Sequence, residues 1–139
     1  RGPAKVLALL KVLIAMRGQN VSNAALIDAL WSDEEGDAAN NALGVAISRL
    51  RKVLGCSDAI LVSHERVSLN LKRCWIDAIA FDRLVECFPD NGSDAAAKQF
   101  IHRVLALYRG QFLPSDVGQR WSIQMRMRLY HFLYFELQR

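Results

Sequence analysis

Apolar residues recur at helical spacing through the N-terminal third of the chain. Residues 3–18, "PAKVLALLKVLIAMRG", place Pro3 where a first helical turn accepts proline and Gly18 where a C-terminal cap would lie. Residues 21–31, "VSNAALIDALW", repeat the pattern over a shorter span, with Ser22 available as an N-cap. The pattern predicts two amphipathic helices joined by a short turn.

A third and longer helix is predicted over about residues 38–54. Asp37 is its predicted N-cap, and Gly55 follows its last apolar residue as a C-terminal stop. The predicted inward stripe recurs at i, i+4, i+7 and i+11, at Leu43, Ile47, Leu50 and Leu54.

After this helix the apolar residues no longer follow helical spacing. "AILVS" and "VSLNL" flank the polar "HER", which indicates a two-stranded hairpin within residues 60–71. Two helices, a longer helix and a hairpin follow one another in the order of a winged helix-turn-helix. We therefore expect such a domain over residues 1–77.

Helical spacing returns from "WIDAIAFDRLVECF" onward, so residues 78–139 are predicted to form a second, helical domain. "PDNGSD" is its clearest break, after which a helix is expected with Ser93 as N-cap and Gly110 as stop. A loop carrying Pro114 follows, and the last helix is expected over about residues 118–139. The expected fold class is mainly α with a small β-hairpin.

The last helix is apolar on two sides and therefore needs two partners. One stripe comprises Trp121, Met125, Leu129 and Phe132, and the other comprises Ile123, Met127, Tyr130, Tyr134 and Leu137. One stripe is expected to pack on the preceding helix. The other has three alternative partners, namely the winged helix, later helices of a helical-repeat array, or a second protomer.

Composition narrows the class of protein. An apolar content of 52% is enough for a core, while 18 Lys and Arg against 14 Asp and Glu give a net charge of +4, too small to indicate nucleic acid by itself. Three cysteines without a CxxC pair argue against a zinc site or disulfide framework, so no metal is expected. No apolar run approaches the roughly 18 residues of a membrane span and no signal peptide is evident, so we expect a cytoplasmic protein without membrane contact. Because the pattern stops within a helix, we expect the chain to be part of a longer protein.

The third helix has an unusual charge distribution. Arg49, Arg51 and Lys52 are its cations, and no carboxylate lies between Asp37 and Asp58. With the apolar stripe inward, the opposite face presents Asn41, Val45, Ser48, Arg49 and Lys52, with Gly44 and Arg51 at its margins. Arg pairs bidentately with guanine and Asn with adenine, and a glycine lets the backbone approach the bases, so this face is typical of a major-groove reader.

An alternative explanation is that the cations merely complement the negative end of the helix dipole, an effect of about 0.3–1 kcal/mol. That alternative does not explain Gly44, which costs a helix interior about 1 kcal/mol relative to Ala. In the hairpin, Arg66 is the candidate for a wing contact to a phosphate or the minor groove, and its alternative role is that of a solvated turn residue.

Signatures of catalysis are absent from the sequence. It contains no GxGxxG, GxxxxGK[ST], HExxH or GxSxG, and its three histidines are scattered. We therefore expect no catalytic residue, no cofactor and no enzyme activity.

Two stretches carry a resemblance to known families. "NNALGVAISRLRKVLG", preceded by "LIDALW" and an acidic loop, resembles the DNA-binding domain of the OmpR/PhoB type. "CWIDAIAFDRL" and "ALYRGQFLP…W…R…L" resemble the TPR-like bacterial transcriptional activator domain of the SARP group. The resemblance implies a transcriptional regulator whose third helix enters the major groove of double-stranded DNA, and whose loop at residues 32–37 contacts RNA polymerase. It places Asn41, Ser48, Arg49, Arg51 and Lys52 against the DNA.

A rival interpretation is a protein-interaction or dimerisation module that keeps the winged-helix shape with weak or no DNA binding. Salt dependence separates the two, because phosphate contacts make DNA affinity fall steeply with salt.

Overall fold

The computed structural model describes residues 2–87 and 92–136, which hold six α-helices and three short β-strands. The chain divides into two units, one ending at Trp75 and the other beginning at Ile76. The mainly helical fold class with a small sheet is confirmed. Within the described residues, no helix is both long enough and apolar enough to cross a membrane.

The first unit is built on three helices that share one core. They are α1 (Gly2–Ala15), α2 (Asn23–Leu30) and α3 (Gly36–Leu54). Their most deeply buried side chains are Leu9, Val12, Leu13, Leu26, Leu43 and Leu50. Each helix buries one apolar face against the others, as the spacing predicted.

The ends of α1 and α2 follow local capping rules. Ser22 caps α2 as predicted, since its hydroxyl accepts a hydrogen bond from the Ala25 amide at 3.1 Å. At the end of α1, the Gly18 amide donates to the Leu13 carbonyl at 2.7 Å, which is the long bond of a Schellman motif. Gly18 lies in the C-terminal cap as predicted, and Arg17 before it shares the left-handed backbone, each residue with φ 71°.

Three predictions about α3 can be compared with its geometry. Gly55 ends the helix as predicted, with φ 69° in the left-handed region. Asp37 is not the N-cap: the helix begins at Gly36, and Asp37 lies in the first turn, where its charge complements the positive end of the helix dipole. Leu54 is wrong as a member of the inward stripe, since its side chain is 40% exposed.

A three-stranded antiparallel sheet completes the first unit. The predicted hairpin consists of β2 (Ile60–Ser63) and β3 (Arg66–Leu69), paired in register Ile60↔Leu69. A two-residue strand, β1 (Val21–Ser22), pairs with the other edge of β3, so the strand order is β1-β3-β2. Strand β1 was not predicted, because two residues are too few to show an alternating pattern.

The second unit contains α4 (Asp77–Glu86), α5 (Asp94–Leu107) and α6 (Arg120–His131), which continues as a π-helical turn at Phe132–Glu136. Its core comprises Phe81, Phe100, Val104, Met125, Leu129 and Phe132. The Phe81 and Phe132 rings meet edge to face, with centroids 5.9 Å apart.

A buried carboxylate joins α4 to α6. Asp82 is 4% exposed, and its Oδ1 accepts hydrogen bonds from Arg128 Nε at 2.9 Å and Nη2 at 2.6 Å. Its charge is thus paired, as burial of a carboxylate requires.

The helix ends of the second unit agree only partly with prediction. Ser93 caps α5 by accepting from the Ala96 amide at 3.3 Å. Gly110 is not the stop, because α5 already ends at Leu107 and Tyr108 turns to extended backbone. Part of the predicted break "PDNGSD", together with Leu137 of the second stripe, lies outside the described residues.

Candidate nucleic-acid interface

The polar face of α3 is exposed along most of its length. The side opposite the core presents the exposed residues Asn41, Gly44, Val45, Ser48, Arg49 and Lys52. From Asn41 to Lys52 this face runs about 16 Å at the rise of an α-helix. The major groove, about 12 Å wide, admits an α-helix, and a face of this length can lie along it.

Two cations on this face have no partner within the described part of the chain. Neither Arg49 nor Lys52 makes a hydrogen bond or an ion pair there. The last turn of α3 contains Arg51 and Lys52 but not Arg49. Because the field of the helix dipole falls off within the last turn, complementing the dipole does not account for Arg49.

Gly44 has no structural reason to be glycine within its own unit. It lies in the interior of α3, and a Cβ atom added there would meet nothing within 4 Å. Its backbone is not in the left-handed region, so the fold does not require the freedom of glycine. The space above this residue is open for the close approach of another molecule.

Arg51 differs from the other predicted contact residues. Its guanidinium donates to the Ile60 carbonyl from Nε at 3.2 Å and from Nη2 at 2.8 Å, and the side chain is half-buried. The two bonds connect α3 to the first residue of β2. The structure therefore assigns Arg51 to holding the hairpin on the helix, and separates it from the exposed face.

The turn of the hairpin is tighter than predicted. Ser63 pairs with Arg66 across the strands, so the turn consists of His64 and Glu65 alone. Both turn residues have positive φ, 51° and 58°, as in a type I′ turn. Arg66 is thus the first residue of β3 and not a turn residue, and its Nη1 donates to the Asn20 carbonyl at 3.1 Å.

The acidic loop borders the N-terminal half of the exposed face. A cavity of about 570 Å³ is lined by Lys5, Val6, Leu30, Trp31, Asp33, Glu34, Asn41, Ala42, Val45, Ala46 and Arg49. Lys5 Nζ lies 5.7 Å from the centroid of the Trp31 ring and donates to the Leu30 carbonyl. This contact was not predicted, since nothing in the spacing of apolar residues along α1 indicates that Lys5 lies near Trp31.

The described residues were compared with the ligand sets of metal sites. Across 2–87 and 92–136 no three His, Cys, Asp or Glu side chains converge on a site for a metal ion.

Comparison with known proteins agrees with this architecture. Residues 1–66 match the family model described as transcriptional regulatory protein, C terminal. The chain is 30% identical over 125 residues to the regulatory protein AfsR of Streptomyces griseus, an alignment that covers 88% of this chain. The chain spans only 13% of the length of that protein. No solved structure matches the chain significantly.

Proposed function

We propose, from the match of residues 1–66 to the family of C-terminal domains of transcriptional regulatory proteins, that α3 reads the major groove of double-stranded DNA. DNA-binding regulation of transcription is the function of that family. The contact residues that we assign to this chain are Asn41, Gly44, Val45, Ser48, Arg49 and Lys52. With DNA as its target, we propose that the protein acts in the bacterial cytoplasm.

One observation carries the proposal. The exposed face of α3 combines two unpartnered cations with a glycine for which its own unit provides no reason. Arg49 and Lys52 supply charge for phosphates or guanine edges, and Gly44 lets the helix backbone lie close to the bases. The three features together match the chemistry of a groove and exceed what the helix dipole requires.

Two neighbouring elements extend the proposed interface. Arg51 bonds the first residue of the hairpin to α3, and Arg66 at the start of β3 is the wing cation nearest to the turn. We assign Arg66 a phosphate contact made by the nitrogen atoms of its guanidinium that do not bond to Asn20. We assign the acidic segment at residues 32–37, which comprises the loop before α3 and the start of that helix, to contact with RNA polymerase, since its carboxylates suit a basic protein surface and repel DNA.

The test is a fluorescence-anisotropy titration of the chain with a mixed-sequence duplex at several salt concentrations. Replacing Arg49 and Lys52 together by Ala should weaken binding and make the log-log salt slope about 1.8 less steep, at about 0.9 per lost phosphate contact. The matched control replaces Lys98 and Arg103 of α5 by Ala, which removes the same two charges from another helix. Equal losses in both variants would show a net-charge effect and contradict the assignment of α3.

A second candidate function is a protein-interaction module. The observation that favours it is the row of exposed apolar side chains on α6. Absence of DNA binding at low salt, in the unaltered chain, would favour this candidate over DNA reading.

A further inference from the structure

An apolar groove lies between α1 and the C-terminal half of α3, within the first unit. It has a volume of about 500 Å³, and most of its lining side chains are aliphatic, namely Val6, Leu7, Leu10, Leu50, Val53 and Leu54. The buried side chains of Val6 and Leu50 form its floor, whereas Leu7 and Val53 are 52% and 75% exposed. Contiguous apolar surface that solvent reaches commonly marks a binding site, because its burial is favourable.

Two cations complete the lining of this groove. They are Arg49 and Lys52, which are exposed and make no hydrogen bond or ion pair within the described part of the chain. Because they lie three residues apart on α3, their side chains project from the same side of the helix. No carboxylate lies on α1, and none follows Asp37 on α3. The groove is therefore apolar with a positive rim.

The dimensions of the groove suit a small molecule. Its lining residues span 6–10 on α1 and 49–54 on α3, which is about 6–8 Å, or one and a half turns of a helix at most. A docked helix is recognised through anchors at i, i+3, i+4 and i+7, a span of about two turns. Small-molecule sites have volumes of about 300–1,000 Å³ and are mainly apolar, with a few polar groups that orient the ligand. The groove has these properties.

We propose that the groove binds one molecule of an amphiphilic anion, a compound with an alkyl or aryl body and a carboxylate, sulfate or phosphate head. The apolar body would lie between Leu7 and Val53, over the buried floor. The head would pair with Arg49 and Lys52 through charge-assisted hydrogen bonds. The positive rim selects against a cationic amphiphile of the same shape.

Such a ligand would compete with DNA. Its head would occupy Arg49 and Lys52, the two cations that the proposed function assigns to DNA contacts. Because a ligand and a duplex would need the same charges, each would lower the affinity of the chain for the other. This competition rests on the proposed DNA-binding function, whereas the ligand site rests on the groove alone.

The experiment is a calorimetric titration of the chain with decanoate, kept below the concentration at which it forms micelles. The matched probe is decyltrimethylammonium, which has a similar alkyl chain and a cationic head. We expect decanoate to saturate a single site per chain and to bind at least tenfold more tightly than the cationic probe. In a DNA titration by fluorescence anisotropy, saturating decanoate should weaken duplex binding.

Variants locate the ligand site. Leu7→Ser and Val53→Ser, on opposite walls of the groove, should each weaken decanoate binding at least tenfold. The matched control is Leu105→Ser on α5, a side chain that is 49% exposed, and it should leave the decanoate affinity unchanged. All three variants should keep the thermal unfolding midpoint, because the substituted side chains lie outside the core. Duplex binding by Leu7→Ser should no longer respond to decanoate.

Several results would overturn the proposal. The ligand site is refuted by no binding of decanoate, by equal binding of the two probes, or by equal losses in the groove variants and the control. Binding to phosphatidylglycerol vesicles without binding of monomeric decanoate would identify a membrane surface as the partner instead. Decanoate that binds without weakening duplex binding would refute the competition. A chain that binds decanoate but no DNA would keep the ligand site and refute the proposed function, so the two failures are distinguishable.

Discussion

Replacing Gly44 by Ala in α3 should change the stability of the fold and the affinity for DNA in opposite directions. The added Cβ meets nothing within 4 Å, so no packing or clash energy enters. What remains is helix propensity, and Ala is favoured over Gly by about 0.8–1.0 kcal/mol in a helix interior. For a unit of this size, about 1 kcal/mol raises the unfolding midpoint by roughly 4–8 °C.

DNA affinity should change in the opposite direction. A methyl group at residue 44 would hold the helix backbone away from the base edges and weaken the contacts of its neighbours on the exposed face. We expect a loss of about tenfold in affinity for a specific duplex, equivalent to about 1.4 kcal/mol. The two measurements are thermal unfolding by circular dichroism and a DNA titration by fluorescence anisotropy.

Gly55→Ala is the matched control for this substitution. The space around Gly55 is equally open, but its φ of 69° lies in the left-handed region, so a Cβ there costs about 1–2 kcal/mol. The control should therefore lower the midpoint where Gly44→Ala raises it. A lower midpoint for Gly44→Ala would refute the placement of this residue in an exposed helix interior. A higher midpoint with unchanged DNA affinity would refute close approach as the reason for the glycine.

The remaining predictions concern the core, the hairpin anchor and the thiols. Leu50→Ala should cost about 2–5 kcal/mol in urea unfolding because the side chain is 1% exposed, whereas Leu54→Ala, at 40% exposure, should cost far less; equal costs would contradict the observed rotation of α3. Arg51→Ala should lower stability by about 1.5–3 kcal/mol through loss of its charged hydrogen bonds to the β2 carbonyl, and an unfolding free energy that does not change would return this residue to the DNA-facing set. Partial burial, and to a smaller extent the neighbouring Cys56, raise the pKa of the Cys74 thiol above its ordinary range. At pH 8 iodoacetamide should therefore alkylate Cys74 more slowly than the exposed Cys87, and the Cys74 rate should increase as the pH is raised further; mass spectrometry showing the reverse order would contradict the partial burial of Cys74.

Local rules were sufficient for much of the fold. Ser22 and Ser93 were identified as helix caps because a hydroxyl one residue before a helical period needs only backbone amides from the following turn. Gly55 was identified in the same way, since a left-handed residue after a helix favours glycine. The hairpin was predicted from two short apolar segments that flank a polar turn. In each case the partner groups lie within a few residues along the chain.

Predictions failed where the partner lies far along the chain or where the local signal was ambiguous. The sequence indicated left-handed backbone only at Gly18, but Arg17 adopts it as well, since both residues donate the bonds of the Schellman motif. Leu54 continued the apolar period but lies past the end of the packed interface. Arg66 was placed in the turn because the register of β2 with β3 is set by pairing between strands, which composition alone does not report.

The sequence by itself determined the order of helices and hairpin, the caps, the inward stripe through Leu50, and the polar and basic character of the opposite face of α3. Those features depend on a period of 3.6 or 2 and on neighbours within a turn. Only the tertiary structure decided which cations of that face remain available. The sequence placed Arg49 on that face and Arg51 at its margin, and the resemblance set both against DNA. In the fold the Ile60 carbonyl lies 2.8 Å from the Arg51 guanidinium, while no acceptor from the described residues reaches Arg49. The physical reason is that a charged side chain is directed by whichever acceptor the folded chain brings within hydrogen-bonding distance, and that acceptor comes from another element.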